Sequence, residues 1–267
     1  MGQIFVKHCP LCDSQRFESA QEVSGYALTV CLDCGHIFLN AISTETQGLY
    51  EVYAPDPGNI AKEVEAQKAR VANVMRFQQP PGKLVDVGCG PGFFLKAARD
   101  GGFAVQGCEL STGCVQFARS TWGIEILQGD FCECPLEPGI QAITMYHTLE
   151  HTREPRRYIS RARDLLARRG VLVIEVPNIL SFDSLYHKEQ WEGLCVPAHL
   201  QFFARNTLDR LLRDCGFRVL TIENSISDFY YAQIQPYLTR LVRNWSEVDK
   251  FARMFEGLVL VAYAQRA

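Results

Sequence analysis

Four cysteines near the N-terminus are arranged as two C-x-x-C pairs. Cys9 and Cys12 form the first pair and Cys31 and Cys34 the second, with 18 residues between the pairs. A tight turn can direct both thiolates of such a pair at one ion, and two such turns supply the four sulfurs of a tetrahedral Zn²⁺. The spacing therefore predicts a structural zinc site, with a redox pair or a chance coincidence as the alternatives.

A glycine-rich segment follows a short apolar run in the middle of the chain. Gly88, Gly90 and Gly92 have the spacing G-x-G-x-G and come just after the acid Asp86. Glycines at these positions let the backbone turn sharply and approach a ligand at the start of a helix. A dinucleotide-binding loop would have its third glycine at position 93, which is Phe93 here. The segment therefore indicates a nucleoside ligand without a pyrophosphate and disfavours an NAD-dependent oxidoreductase.

Two further acids follow the next two predicted strands. Glu109 comes 19 residues after Gly90, where its carboxylate can accept both hydroxyls of a ribose. Asp130 is followed by Phe131, so it can bind an adenine amino group beside an aromatic ring. Either acid alone would more often be a solvated strand end. Because the carboxyl ends of parallel strands share one edge of a sheet, the acids and the glycine loop together predict one nucleoside site.

The segment Y-H-T-L-E-H, which ends at His151, follows the fourth predicted strand. His147, His151 or His199 could remove a proton from a substrate, with Glu150 orienting an imidazole. We predict that His199 is the base and that His147 contacts the ligand. The letters also match the H-x-x-E-H motif of zinc proteases, but that motif needs a helix, whereas a strand leads into this segment and Pro155 follows it.

The elements that would position these residues alternate between strand and helix. Strands are predicted at 83–87, 104–108, 124–127, 142–146, 171–176, 218–222 and 258–263, and helices at 93–100, 112–122, 156–167 and 207–215. Such βαβ alternation with apolar strands predicts an α/β fold with a parallel, doubly wound sheet. A ligand of such a sheet binds at the carboxyl ends of its strands.

The glycine loop and the acids at the strand ends resemble the class I S-adenosylmethionine (SAM) dependent methyltransferases, from about residue 83 to the C-terminus. The resemblance implies a Rossmann-like seven-stranded sheet whose last strand is antiparallel, with SAM as the cofactor. The motifs V-P-N at 176–178 and H-L-Q-F-F at 199–203 are similar to those of a bacterial subgroup in this family, several members of which carry an N-terminal zinc ribbon and act on sugars or secondary metabolites. The implied cofactor site consists of Asp86, Gly88, Cys89, Gly90, Gly92, Phe93, Glu109, Leu110, Asp130, Phe131, Tyr146 and His147.

A second resemblance concerns the E-x-x-E-H metal site of some class I O-methyltransferases. In this chain His147 stands where that motif has its first glutamate. The resemblance implies, as an alternative to a histidine base, a second metal held by His147, Glu150, His151 and His199.

Three parts of the chain differ in character. We expect a zinc ribbon over 1–40, a connector with a helix at 61–78 over 41–82, and the methyltransferase domain over 83–267. Tyr50 and Tyr53 precede a Pro-Asp-Pro-Gly turn in the connector, which we expect to close over the acceptor together with the ribbon.

Composition excludes several classes of protein. With 47% hydrophobic and 21% charged residues and a net charge of −3, the chain is neither fibrous nor disordered, and nothing favours a polyanion partner. The longest apolar run, 258–264, is far shorter than the roughly 20 residues of a membrane helix, and residues 1–10 lack a basic stretch followed by an apolar run, so we expect neither a membrane helix nor a secretory signal. Eleven cysteines then indicate thiols and metal ligands in a reducing cytoplasm.

The predicted function is SAM-dependent methyl transfer to oxygen or carbon of a small molecule, such as a nucleotide-sugar or a natural-product intermediate. Phe182, Tyr186 and Trp191 follow the fifth strand and either grip this acceptor or pack in the core. One alternative is an RNA or protein methyltransferase docked by the ribbon, although residues 1–40 hold only two basic side chains, Lys7 and Arg16, against four acids. Another is a non-catalytic SAM-binding subunit.

Overall fold

A seven-stranded sheet forms the centre of the protein in the computed structural model, which describes residues 3–43, 58–225 and 258–266. Its strands are β6 (Lys83–Val87), β7 (Ala104–Glu109), β8 (Ile126–Gln128), β9 (Ile140–Tyr146), β10 (Leu166–Pro177), β12 (Phe217–Ser225) and β13 (Val259–Arg266). The strand order is β12-β13-β10-β9-β6-β7-β8. Strands β6 to β10 pair in parallel, whereas β13 runs antiparallel to both of its neighbours. The predicted seven-stranded sheet with an antiparallel last strand is therefore confirmed.

Helices cover both faces of this sheet, which makes it doubly wound. The α-helices of the described residues are α1 (Ile60–Ala66), α2 (Lys68–Met75), α3 (Phe93–Asp100), α4 (Thr112–Trp122), α5 (Pro155–Leu165), α6 (Phe182–His187) and α7 (Arg205–Asp214). Of these, α1 buries no side chain and α6 buries only Ser184. Adjacent residues of β6 face opposite cores: Leu84 packs in one cluster with Val74 of α2, and Val85 packs in another with Ile159 of α5 and Leu208 of α7. Because β6 is covered on both sides, its residues from Leu84 to Val87 are all buried, without the alternation of buried and exposed side chains of a strand with one solvated face.

The helices after β6 and β7 occupy the predicted ranges. Helix α4 begins where the side chain of Ser111 accepts a hydrogen bond from Cys114 N, and it ends at Gly123 in the left-handed conformation. The helix predicted at 61–78 is instead two helices, α1 and α2, that meet at Gln67. A hydrogen bond of 3.2 Å from Gln67 N to Val64 O, three residues back, ends α1. Of the two helices only α2 has fully buried side chains, those of Val71 and Val74.

The N-terminal module contains two small antiparallel sheets. One pairs β1 (Gln3–Phe5) with β5 (Ala41–Ser43). The other has the order β11-β4-β3-β2 and consists of β2 (Phe17–Val23), β3 (Tyr26–Cys31), β4 (Ile37–Leu39) and β11 (Gln201–Phe202). Since β11 belongs to the segment between β10 and α7, the module is joined to the main domain through a shared sheet.

Some predicted features lie outside the described residues. These are Tyr50 and Tyr53 of the connector, with the Pro-Asp-Pro turn residues that follow them. Among the described residues, no helix combines the length and the apolar character needed to cross a membrane.

Candidate active site

The glycine loop connects the carboxyl end of β6 to α3. Gly88, Gly90 and Gly92 all have positive φ angles, of 68°, 51° and 80°, a region that side chains other than glycine rarely occupy. A Cβ atom on Gly90 would meet no other atom within 4 Å, so the backbone here borders open space. A Cβ atom on Gly88 would instead lie 2.5 Å from the hydroxyl of Thr148. The loop thus offers a cradle at Gly90 and packs tightly against the turn after β9 at Gly88.

Glu109 closes the opposite side of this cradle from the end of β7. One carboxylate oxygen accepts a hydrogen bond from Gly90 N at 2.8 Å, and the other accepts from Leu110 N and Ser111 N at 2.8 and 2.9 Å. The Leu110 side chain is exposed beside it. Glu109 therefore lies where the sequence predicts a ribose ligand, and it also fixes the conformation of the loop.

Two other loop residues have buried side chains. Cys89 contacts the core under the loop, where a Cβ atom on Gly107 would lie 2.5 Å from its sulfur. Phe93 packs edge-to-face against Phe117 and Trp122 of α4. Both residues can therefore face the cradle only through their backbone.

Asp130 follows β8 at the same edge of the sheet. Its two carboxylate oxygens accept hydrogen bonds from Cys132 N at 2.7 Å and from the Tyr158 hydroxyl at 2.8 Å. Phe131, predicted to lie beside an adenine ring, is only 2% exposed and packs against Tyr158 in the core. The aromatic surface predicted for the ligand is therefore turned inward, because this side chain fills the space between the sheet and α5.

Asp86 is buried inside the sheet rather than exposed at its edge. It is 4% exposed and accepts a hydrogen bond of 2.6 Å from the hydroxyl of Thr144 on β9. Burial raises the pKa of Asp86 to about 7, against the opposing effects of the Thr144 hydrogen bond and the positive charge of Arg70. Removing this carboxylate from water thus makes it an easily protonated group next to the glycine loop.

The turn after β9 lies directly against the glycine loop. The hydroxyl of Thr148 donates to Val87 O at 2.8 Å, which ties the turn to the end of β6. Leu149–His151 is a single turn of 3-10 helix, and His147 before it has a φ of 49°. The histidines do not share an α-helix, which agrees with our rejection of the protease motif.

His147 is held between two buried carboxylates. Its Nδ1 lies 3.3 Å from Glu150 Oε1, and its Nε2 lies 3.0 Å from Glu175 Oε1 on β10. Burial opposes a charge on the ring, but the hydrogen bonds and charges of Glu150 and Glu175 raise the pKa of His147 to about 9. At neutral pH this cation is a poor base, so the structure disfavours His147 among the three candidate bases, and its predicted contact with the cofactor stays a prediction.

Arg70 of α2 completes this ionic network and was not predicted. It pairs with Glu175, and its guanidinium lies over the ring of Tyr146, 4.6 Å from the ring centre. Burial acts in the other direction, but His147 and Arg70 lower the pKa of Glu175 to about 2. The sequence signal that could have revealed this network is the glutamate inside the apolar run V-L-V-I-E-V, because a buried charge needs partners.

An adjoining cluster, which shares Glu150 with this network, brings together Glu150, His151 and His199. Their ligand-type atoms all lie within 4.8 Å of one another, and the two imidazole rings meet edge-to-face with centres 4.6 Å apart. The structure thus brings three of the four predicted catalytic residues into one group, while His147 is held by its two carboxylates. Burial lowers the pKa of His199, although the charge of Glu150 acts against it, so this ring is neutral at neutral pH.

The shared small sheet supports this cluster from the other side. Leu200 N donates to Glu150 O at 2.8 Å, and Leu39 N of β4 donates to Leu200 O at 3.0 Å. The side chain of Gln201 bridges His36 Nε2 at 2.9 Å and Thr152 O at 3.0 Å. The N-terminal module is therefore in hydrogen-bond contact with the turn that carries Glu150.

The four N-terminal cysteines also meet. Their sulfur atoms lie within 4.8 Å of one another, with Cys9 Sγ 3.6 Å from Cys34 Sγ and Cys12 Sγ 3.5 Å from Cys31 Sγ. Metal–sulfur bonds of about 2.3 Å in a tetrahedron give sulfur–sulfur edges of about 3.8 Å. The arrangement thus fits one tetrahedral zinc ion. His36 lies beside the thiols in sequence, but its Nε2 is engaged by Gln201.

The three aromatic residues after β10 divide between core and surface. Trp191 is 3% exposed and packs with Leu39 and Phe202 between the module and the domain. Phe182 and Tyr186 of α6 are exposed, with stacked rings 5.8 Å apart. Trp191 is thus a core residue, and only the α6 pair presents an aromatic surface.

Comparison with known proteins gives a consistent family and fold. A family model described as a methyltransferase domain matches residues 38–222. A SAM-dependent methyltransferase from Archaeoglobus fulgidus is similar with a TM-score of 0.56 and 19% identity, over 79% of this chain and 100% of that chain. One from Mesorhizobium loti has a TM-score of 0.56 and 18% identity, over 75% and 98%.

A third similar structure is a geranyl diphosphate methyltransferase in complex with GPP and sinefungin. Its TM-score is 0.55 and its identity 17%, over 82% of this chain and 86% of that chain. A search of curated proteins found no match. At these identities the structural likeness shows the fold, and the family model shows the family.

Proposed function

Because the chain belongs to the methyltransferase-domain family and is a SAM-dependent methyltransferase, we propose that it methylates oxygen or carbon of a small molecule. The observation that carries this proposal is the contact between the glycine loop and the turn after β9. Thr148 packs on Gly88, and the same turn carries Glu150 and His151. A donor bound over the loop and an acceptor bound beside the turn would be neighbours, as an in-line transfer requires.

We propose that SAM binds along the edge formed by β6, β7 and β8. The open space at Gly90 and the carboxylates of Glu109 and Asp130 support this assignment. The backbone of 88–93 would surround the methionine part, Glu109 would accept from the ribose and Asp130 would bind the adenine end. Tyr146 and His147 would contact the cofactor from the turn after β9.

Transfer requires that the acceptor lose a proton. The bond from the acceptor atom to the methyl carbon forms while the carbon–sulfur bond breaks, and the thioether leaves with the electron pair. An acceptor hydroxyl or acidic carbon must also be deprotonated. Because His147 is a cation, we propose that this proton leaves at the cluster of Glu150, His151 and His199; a base role for His199 alone stays a prediction.

We further propose that the four N-terminal cysteines hold a structural zinc ion. A site closed by four thiolates leaves no position for a substrate, so the ion would stabilise the module rather than react. Thiolate ligands require reducing conditions, which supports a cytoplasmic protein.

A small acceptor is favoured over a macromolecule by the charge of the N-terminal module. Lys7 and Arg16 are the only lysine and arginine in residues 1–40, and Arg16 is paired with Asp33 at 2.8 Å. Nucleic-acid binding depends on unpaired basic side chains at phosphates. The geranyl diphosphate methyltransferase, which shares this fold, binds the small molecule GPP, and we propose a nucleotide-sugar or natural-product intermediate for this chain.

The test is transfer of an isotope-labelled methyl group from SAM to a panel of acceptors. The panel should contain nucleotide-sugars, hydroxylated aromatic compounds, total RNA and unfolded protein, with the Gly90→Val variant as the inactive control. Label in a small-molecule product is expected. Label confined to RNA or protein would favour the macromolecular alternative, and SAM binding with no transfer to any acceptor would favour the non-catalytic one.

A further inference from the structure

Two arginines of the main domain bind the two cysteine turns of the N-terminal module, each of which is formed by one C-x-x-C pair. Arg156 of α5 donates to Leu11 O at 2.6 Å, and Arg210 of α7 donates to Asp33 O at 3.3 Å. Leu11 and Asp33 occupy the same position in the two turns, directly before the second cysteine of each pair. Each turn is therefore bound in the same way by one helix of the main domain.

The residues that accept from the arginines also contact the sulfur atoms. Leu11 N donates to Cys9 Sγ, and Asp33 N donates to Cys31 Sγ. Each of these two residues thus joins a sulfur, through its N–H group, to a guanidinium, through its carbonyl group. A centre of four thiolates and one Zn²⁺ carries net negative charge, which guanidinium groups beside it stabilise. The two arginines therefore form an outer layer of the zinc site.

Asp214, the last residue of α7, links the two arginines. Its Oδ2 lies 3.7 Å from Arg156 Nη1 and 3.6 Å from Arg210 Nε. The three side chains are between 40% and 45% exposed, so these ion pairs alone contribute little to stability. What Asp214 supplies is geometry, because one carboxylate keeps both guanidinium groups pointed at the cysteine turns.

The first cysteine turn also belongs to the apolar core of the main domain. Leu11 is 2% exposed and lies in the same apolar cluster as Phe38 of β4 and Leu211 of α7. A shift of this turn would expose the Leu11 side chain to water, which is unfavourable. Polar and apolar contacts therefore fix one arrangement of the turn on the main domain.

The contacts of the module reach the turn that carries Glu150 from two sides. On one side, α5 begins at Pro155, just after that turn. On the other side, Leu200 N donates to Glu150 O at 2.8 Å, and Leu200 directly precedes β11. Strand β11 pairs with β4 of the module. The zinc site and the turn after β9 are thus connected through both α5 and β11.

We propose that Arg156 and Arg210 are positioning residues that join the zinc site to the acceptor side of the active site. Zinc fixes the two cysteine turns in the shape that presents their carbonyl groups to the arginines. The module bound in this way holds β11 beside the turn after β9. Loss of zinc therefore loosens that turn and slows methyl transfer, whereas the SAM edge is held by bonds within the main domain, such as that from Gly90 N to Glu109. This inference rests on the proposed zinc ion and, for transfer, on the proposed function.

The first measurement is the rate at which the zinc-loaded full-length protein releases zinc to a chromogenic chelator. Arg156→Gln and Arg210→Gln should each release zinc several-fold faster than the wild type, and the double variant about tenfold faster, as for lost outer-shell contacts. Arg156→Lys keeps a donor and should restore much of the retention. Arg213→Gln, at an exposed arginine of α7 that pairs with Asp209, is the matched control and should behave like the wild type. Release at the wild-type rate by the double variant would overturn the inference.

The second measurement separates this inference from the proposed function. The kcat for methyl transfer and the affinity for SAM are determined for the zinc-loaded double variant and for wild type from which the chelator has removed zinc. In both, kcat should fall several-fold while SAM affinity, which also shows that the main domain is folded, stays unchanged. An unchanged kcat in both would overturn the link between zinc and the site. Zinc-loaded wild type that binds no SAM would instead contradict the proposed function, and the zinc-release rates would still decide the role of the arginines.

Discussion

At the scale of single residues, the carboxylate of Glu109 links the loop to the end of β7. It accepts three backbone N–H groups, from Gly90, Leu110 and Ser111. A carboxylate offers about four acceptor positions, so it can hold the loop and still accept from a ligand hydroxyl. The cradle at Gly90 is therefore shaped before any ligand arrives, which lowers the cost of ordering it on binding.

Gly90→Val should abolish SAM binding, because the side chain fills the open space that we assign to the cofactor. The positive φ of 51° adds backbone strain, so a control must carry the same strain elsewhere. Gly123, at the end of α4, has a φ of 60° and open space around it. Calorimetric titration with SAM should show no binding for Gly90→Val and wild-type affinity for Gly123→Val. Normal affinity in Gly90→Val would remove the loop from the cofactor site.

Asp86→Asn should change how stability depends on pH. The pKa of Asp86 is raised to about 7 in the folded protein, so between pH 4 and pH 7 the native state binds a proton that the unfolded state releases. Stability of the wild type should fall as pH rises through this range, by up to about 4 kcal/mol from this group. Asparagine keeps an acceptor for the Thr144 hydroxyl but cannot ionise. The stability of the variant should therefore not decrease in this way as the pH rises.

Urea unfolding at pH 4.5 and pH 7.5 measures the effect. Asp100→Asn, at an exposed aspartate of α3, is the control and should follow the wild type. If Asp86→Asn and wild type show the same pH dependence, Asp86 titrates normally and our view of its environment is wrong.

Residue types and spacing predict which side chains lie close together. They predict the protonation states of those side chains less well. The four cysteines and the strand-end acid Glu109 were placed by spacing alone, since turns and strand ends have fixed geometry. The charge on His147 depends on Glu175, which comes from the neighbouring strand, and on α2 of the connector. A glutamate inside an apolar run shows that a buried charge needs partners, but these partners are distant in the chain, so no local pattern identifies them.

At the scale of elements, β11 is the piece that connects the N-terminal module to the site. It pairs with β4 and directly follows His199 and Leu200. A strand of two residues is too short to show a period, and its partner lies more than 160 residues earlier in the chain. Sequence patterning therefore predicted α3 and α4 with their bounds but could not predict this junction.

Gln201→Leu should slow methyl transfer several-fold and leave SAM affinity unchanged. The variant leaves His36 and Thr152 O without their buried partner, which costs about 1–3 kcal/mol and loosens the turn that carries Glu150. Gln21→Leu removes an exposed hydrogen bond to Glu189 and is the matched control. Turnover and SAM affinity should be measured separately. Equal turnover in both variants would show that the module does not position the site.

At the scale of the whole molecule, one edge of the sheet collects the groups that could do chemistry. The glycine loop, Glu109, Asp130 and the turn after β9 all follow carboxyl ends of parallel strands, as expected for a doubly wound sheet. The four-stranded sheet that contains β11 lies beside the turn after β9 and bounds the site on that side. We therefore assign donor binding to the loops of the main domain and acceptor binding to its boundary with the module.

The most direct test of this account is equilibrium binding of SAM to the purified protein, with NADH as the comparison. Zinc content should be determined on the same sample, so that a folded module is assured. We predict one SAM bound per chain with micromolar affinity, no binding of NADH and one zinc ion per chain. Folded, zinc-loaded protein that fails to bind SAM, or that binds NADH more tightly, would contradict the account.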